Sequence, residues 1–214
     1  MRKLLCLVML LMGMLTIFAA NDIVIGITQP LTGNYAMGGQ LGMRGIDMAY
    51  EEVPTVLGRP IKLVKLDNKS DKIESANVVT RLIEQYKAVA IIGTYSSALG
   101  IPGAEIANKN KVVYVSPSNT NPLVTKDKPF VYRVCFIDPF QGTVMAKFAV
   151  QNMKAKTAAV IYDVSNDYSV GLAYYFRDAF VKLTGNPKSV VTYIAYQGGD
   201  QDFTAQLTAV KRAN

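Results

Sequence analysis

The chain has 214 residues, half of them hydrophobic, and 23 basic against 16 acidic residues give a formal charge of +7. That length builds one sizeable core or two small ones, and the basic surplus is scattered rather than gathered into a phosphate-tracking block, which argues against nucleic acid as a partner. Histidine is absent, which removes Ser-His-Asp and Cys-His triads and histidine-ligated metals. The two cysteines are Cys6 and Cys135. With Cys6 in a leader, Cys135 stands alone in the run VYRVCFI, where it reads as a buried apolar residue rather than half of a disulfide or a thiolate metal site.

The chain opens on MRKLLCLVMLLMGMLTIFAA. Basic Arg2 and Lys3, an apolar run from Leu4 to Phe18 and small Ala19 and Ala20 have the form of a secretory signal peptide over 1–20. Phe18 departs from the small residue preferred before a cleavage site, which leaves an uncleaved anchor as the alternative. No cysteine follows the run, so no lipoprotein processing site is expected. Export to a periplasm is the expected localisation.

From residue 21 onward, apolar runs alternate with helical patterns. NDIVIGIT (21–28) is a nearly continuous, β-branched buried strand, and the loop QPLTGNYAMGG follows it. A helix is expected over 40–53 with Met43, Ile46 and Tyr50 on one side, then a strand over 59–67 carrying Ile61, Leu63 and Leu66. The helix expected over 70–87 has Ser70 as its cap and Ile73, Ala76, Thr80, Ile83 and Lys87 near one face. A strand over 87–93, a helix over 98–110 and strands over 111–116 and 129–137 come next. Asp138 with Gln141 resembles a capping box, with Pro139 at the first position of a helix over 140–153. A strand over 157–163, a helix over 168–185, a strand over 189–196 and a helix over 202–214 complete the series. This spacing predicts βαβ units and a mostly parallel sheet with right-handed crossovers. Few βα units follow Asp138, so the chain is expected to be a fragment of a longer protein.

The stretch 93–122, GTYSSALGIPGAEIANKNKVVYVSPSNTNP, puts small hydroxyls at the carboxyl ends of two strands. Ligands of open parallel sheets sit there. Ser96 or Ser97 is placed to cap the next helix, whose start favours an anion such as a carboxylate, while a carbonyl of the second cluster suits an ammonium. The same residues also read as an ordinary cap and an ordinary turn. No G-x-G-x-x-G follows a strand and no G-x-x-x-x-G-K-[ST] occurs, so no nucleotide fingerprint is present.

IGITQPLTGNYAMGGQLGMRGIDMA, the 93–122 stretch with SPSNTNPLVT, YRVCFIDPFQG and AAVIYDVSNDYSVGLAYYF together resemble branched-chain (leucine/isoleucine/valine) amino-acid binding proteins, the periplasmic receptors of ABC importers. The resemblance runs from Ile23 to Asn214 and covers the N-terminal part of such proteins. It implies the type I periplasmic-binding fold: two doubly wound parallel-sheet lobes, the first over 21–138 and the second, incomplete here, over 139–214. It further implies that the Ser97 hydroxyl and amide hold a ligand carboxylate and that the Ser118 carbonyl takes an ammonium. Thr120 would contact both groups, and Tyr168 of NDYSVG would close over the ligand from the second lobe.

Two positions depart from the family pattern. Ser96 replaces one member of a cysteine pair near the ligand, and Gly38 stands where relatives often place Tyr or Trp against the ligand side chain. Tyr35 or Tyr95 is then available to refill that space. The implied function is capture of an amino acid or similar small carboxylate and its delivery to a membrane permease, with no metal or other cofactor. A ligand-sensing ectodomain of a signalling receptor is the alternative with the same fold. An exported hydrolase is disfavoured, since Ser97 has no evident base and G-x-S-x-G does not occur.

Overall fold

The structure, a computed structural model, describes residues 22–213; the expected leader over 1–20 lies outside them. The chain runs β1 (Ile23–Gln29), α1 (Ala36–Glu52), β2 (Thr55–Val56), β3 (Arg59–Asp67), α2 (Lys72–Glu84), β4 (Ala90–Gly93), α3 (Ser97–Lys109), β5 (Val113–Ser116) and β6 (Val131–Arg133). It continues through α4 (Asp138–Lys147), a π turn (Phe148–Asn152), β7 (Ala158–Asp163), α5 (Asp167–Thr184), β8 (Val190–Tyr196) and α6 (Thr204–Arg212). Strands β1 to β6 form one sheet in the order β2-β3-β1-β4-β5-β6, and β7 and β8 pair in parallel as a second. All neighbours in the first sheet are parallel except the short hairpin of β2 on β3.

The strands are apolar on both faces because helices cover both. Val24 and Val64 face α2 and α3, where Ile91 and Tyr114 pack with Val78, Val79 and Leu82 into the main core. Ile25, Ile61 and Leu63 point the other way, toward α1. Burying Val78, Val79 and Leu82 contributes about 1.5–3 kcal/mol each before ordering entropy is counted. A smaller core of Ala146, Ala179 and Phe180 joins α4 and α5 beneath the second sheet.

Several local expectations are corrected. Helix α1 starts at Ala36, inside the expected loop, because Gly38 and Gly39 are chosen for close approach rather than flexibility: a Cβ at Gly39 would lie 2.0 Å from the Pro30 carbonyl oxygen. The cap of α2 is Asp71, whose side chain accepts from the Glu74 amide, while Ser70 sits at φ +59° and its Oγ accepts from the Tyr35 amide. The buried face of α2 is Ser75, Val78, Val79 and Leu82, and Ile73 is exposed. Both stripes have helical period; the sheet selects the one with the β-branched pair.

Strand β6 is only three residues long, since pairing with β5 ends at Arg133, and Val134, Phe136 and Ile137 are exposed on the way to α4. Cys135 is half-buried rather than enclosed, and burial raises its thiol pKa. Asp138 forms no capping box with Gln141. Ile137 is the N-cap, Asp138 is the first helical residue and fully buried, and Gln141 points elsewhere. The expected helix over 140–153 gives way to the π turn after Lys147. In contrast, α5 ends as its sequence signals, on Gly185 in the left-handed region.

Candidate functional site

Strand β1 lies between β3 and β4, so the loops leaving β1 and β4 diverge at their carboxyl ends. This is the switch point of an open α/β sheet, where a crevice forms by construction. A cavity of about 390 Å³ occupies it, walled by the loops after β1, β4 and β5 on one side and by the start of α5 on the other.

The β4–α3 loop supplies Ser96 and Ser97. Ser96 is the N-cap position of α3 at φ +74°, yet neither serine makes a side-chain cap bond to the helix. The Ser96 hydroxyl is buried and lies close enough to the Tyr35 hydroxyl to oppose the rise in its pKa, without meeting it in strict hydrogen-bond geometry. The Ser97 Oγ, on a residue 2% exposed, accepts from the Asn121 amide at 3.1 Å, which leaves its own proton to give. The first amides of α3 have no partner within the helix and carry its positive end. Two hydroxyls and an amide cluster therefore converge on one end of the cavity.

The β5 loop is rigid. The Asn119 amide donates to Ser116 Oγ (3.0 Å), and Asn119 Nδ2 (2.8 Å) and Ser118 Oγ (3.3 Å) both donate to the Thr94 carbonyl. The Arg133 guanidinium spans the loop from below, donating to the carbonyls of Asn119 (2.7 Å) and Asn121 (3.1 Å) and to the Thr125 hydroxyl (2.6 Å). Burial lowers the pKa of Arg133. The Thr120 carbonyl accepts from the Asp138 amide at 2.9 Å, tying the loop to the start of α4. Burial raises the Asp138 carboxyl above its ordinary range, opposed by Thr120 and Arg133.

Tyr35 and Tyr95 form the aromatic side, their ring centroids 6.4 Å apart. The Tyr95 amide donates to Oε1 of the buried Gln29 at 2.9 Å. Burial first, then the charge of Asp163, raises the Tyr35 hydroxyl pKa. Facing them are Asn166 and Tyr168. The Asn166 side chain accepts from the Tyr168 amide as the cap of α5, and Gln141 Nε2 donates to the Tyr168 hydroxyl at 3.0 Å.

Polar contacts among the described residues cross the cleft between the segments that carry the two sheets. Asn166 Nδ2 donates to the Tyr35 hydroxyl (3.1 Å), Asn121 Nδ2 donates to the Asp167 carbonyl (2.8 Å), and Lys72 pairs with Asp167 (2.7 Å). Among the described residues, no Asp, Glu, Lys or Arg lines the cavity.

The structure thus brings together Ser96, Ser97, Ser118, Thr120, Tyr95 and Tyr168 of the expected set, with Tyr35. Gly38 does not line the cavity: a Cβ there would lie 2.6 Å from the Tyr95 ring, so that ring sits where a larger residue at 38 would go. Phe136, Gln141 and Asn166 also line it and were missed. Only Asn166 carries a local signal, an Asx cap ahead of a helix.

An uncharged, hydroxyl-lined cavity at the switch point of a parallel sheet, straddled by two sheet-bearing segments, has the form and position of small-molecule sites in open α/β folds. The chain belongs to the periplasmic binding protein family, whose model matches residues 22–214. It is similar to the leucine-binding protein LivK of Thermotoga maritima, at 46% identity and a TM-score of 0.85 over 90% of this chain and 54% of that one. It is also similar to LivJ of Streptococcus pneumoniae, solved with isoleucine, at 30% identity and a TM-score of 0.79 over 89% and 54% of the two chains. An amino acid binding protein of Pseudomonas aeruginosa is 34% identical over 94% of this chain and 53% of its own length. The fold is the type I periplasmic-binding fold, and the chain spans about half the length of these relatives.

Proposed function

We propose that the protein is an extracytoplasmic solute receptor that holds an amino acid, or a similar small carboxylate, between two lobes and presents it to the permease of an ABC importer. The lobes correspond to residues 21–138 and to the segment beginning at 139. The observation that carries this reading is the hydroxyl-lined end of the cavity: the buried Ser96 hydroxyl, which makes no cap bond to the helix it precedes, beside Ser97 at the positive start of α3. A carboxylate there accepts from Ser97 and the first α3 amides, replacing the water it loses. The ammonium of an amino acid lies toward the carbonyl of Ser118 and toward Thr120, on the loop that Arg133 stiffens. Tyr168 and Asn166 close from the opposite side. A ligand that touches both lobes binds the closed form better than the open one, which is the condition for it to shift the hinge equilibrium. Similarity to a leucine-binding protein and to a binding protein solved with isoleucine supports the amino-acid class.

Native mass spectrometry of the full-length exported protein tests the reading. A retained amino-acid-sized ligand that is lost on mild unfolding is the expected result. A ligand-free protein that gains no mass when incubated with millimolar L-leucine, L-isoleucine and L-valine contradicts it.

A further inference from the structure

Asn121 is tied to both sides of the cleft, and each of its polar groups has a different task. Its backbone amide donates to Ser97 Oγ at 3.1 Å, and its carbonyl accepts from the Arg133 guanidinium at 3.1 Å. Its side-chain Oδ1 accepts from the Leu123 amide at 2.9 Å, as the cap of a short 3₁₀ turn (Pro122–Val124). These bonds fix the residue to the first segment. They also fix which way its side-chain amide faces, because Oδ1 is already committed. Nδ2 is turned toward the second segment, where it donates to the Asp167 carbonyl at 2.8 Å, at the first residue of α5. Asn121 is buried, so water is a poor substitute for that acceptor.

Helix α5 is shaped to receive this side chain. Gly171 lies one turn beyond Asp167, and a Cβ there would stand 2.9 Å from Asn121 Nδ2 and 3.4 Å from Asp138 Oδ2. Nδ2 cannot retreat from such a contact without giving up the bond of Oδ1 to Leu123. Alanine at 171 would favour the helix, so the glycine is a notch for a neighbour rather than a helix former. Tyr168 follows Asp167 directly and borders the cavity, so holding the Asp167 carbonyl also places Tyr168. Lys72 and Asp167 meet across the cleft as well, but that pair is exposed and salt weakens it.

We infer that Asn121 and Gly171 form a fitted clasp that holds the second segment closed over the cavity: Gly171 leaves the notch, Asn121 fills it, and its bond to the Asp167 carbonyl seats Tyr168. The inference rests on the receptor reading above and adds to it which residues hold the closed form. Both are positioning residues, since neither lines the cavity.

Equilibrium and stopped-flow titration of the full-length protein with L-leucine test this, using the unmodified protein, Asn121→Ser, Gly171→Ala and the double variant. Urea melts check each fold. Serine keeps the backbone bond to Ser97 and can cap the turn, but it is too short to reach Asp167. Asn121→Ser should therefore weaken L-leucine about three- to tenfold, through faster dissociation, with the association rate within about twofold. Gly171→Ala should weaken L-leucine by a similar factor without lowering the urea midpoint, because opening the cleft relieves the contact and alanine favours the helix. The double variant should match Asn121→Ser within about twofold, since the shorter side chain vacates the notch. If one single variant does not fold, the other decides by the same limits. L-leucine affinity within about twofold of the unmodified protein, a loss carried by slower association alone, or losses that add in the double variant would overturn the inference and leave the receptor reading intact. Failure of the unmodified protein to bind L-leucine, L-isoleucine or L-valine contradicts the receptor reading itself, and this inference with it.

Discussion

Replacing Ser97 by alanine removes two interactions that can be measured separately. The Ser97 Oγ accepts from the Asn121 amide at 3.1 Å, and Asn121 is only 5% exposed. An amide left without a partner in a buried site costs about 1–3 kcal/mol, so urea unfolding of Ser97→Ala should show a loss in that range. Under the proposed function the same hydroxyl donates to the carboxylate of a bound ligand. A hydrogen bond to a charged group is worth about 1.5–3 kcal/mol, and about 1.4 kcal/mol is a decade of affinity, so L-leucine should bind about one to two decades more weakly. Calorimetric titration of the full-length protein, well below its unfolding temperature, reads the second effect free of the first. A stability loss with unchanged affinity would refute the assignment of Ser97 to the carboxylate and leave it as a brace for the β5 loop.

Gly39→Ala should destabilise by about 1–3 kcal/mol, since its Cβ would meet the Pro30 carbonyl oxygen at 2.0 Å, whereas Gly45→Ala, with nothing within 4 Å, should stabilise the same helix by about 0.5–1 kcal/mol; paired urea melts check both signs. Tyr35→Phe removes the hydroxyl that accepts from Asn166 across the cleft, a bond worth about 0.5–1.5 kcal/mol, so L-leucine affinity should fall about two- to tenfold and small-angle scattering should show a more open unliganded form. Unchanged affinity and dimensions would remove that contact from the closing mechanism. Asp138 is held above its ordinary carboxyl range by burial, so the folded state binds its proton more tightly than the unfolded chain. Its contribution is full below about pH 3.8 and is lost as pH rises through the raised folded value; Asp138→Asn should flatten that part of the stability–pH profile, and an identical profile would show that Asp138 does not titrate in this window.

The strand–helix alternation was legible because β1, β4, β5 and β7 are short β-branched runs, and the strands between helices buried on both faces read as continuous apolar segments. Which stripe of α2 faces inward was not, because 73/76/80/83 and 75/78/79/82 share a period and only the sheet distinguishes them. The start of α1 was hidden by Gly38 and Gly39, which oppose helix by propensity but are required by Tyr95 and Pro30 lying against them. In the site, the hydroxyl clusters could be found because they directly follow strands. Phe136 lies in the unpaired run after β6 and Gln141 inside α4, so no local pattern announces them as cavity residues, and Asn166 is announced only as a helix cap.

Under the proposed function the cavity recognises a small carboxylate at the start of α3. Equilibrium titration of the full-length protein with L-leucine and with L-leucinamide, identical but for the neutralised carboxylate, tests it most directly. Carboxylate recognition at that site requires saturable one-to-one binding of L-leucine and a loss of at least two decades for the amide. Equal binding of the two, or no saturable binding of either, would contradict it.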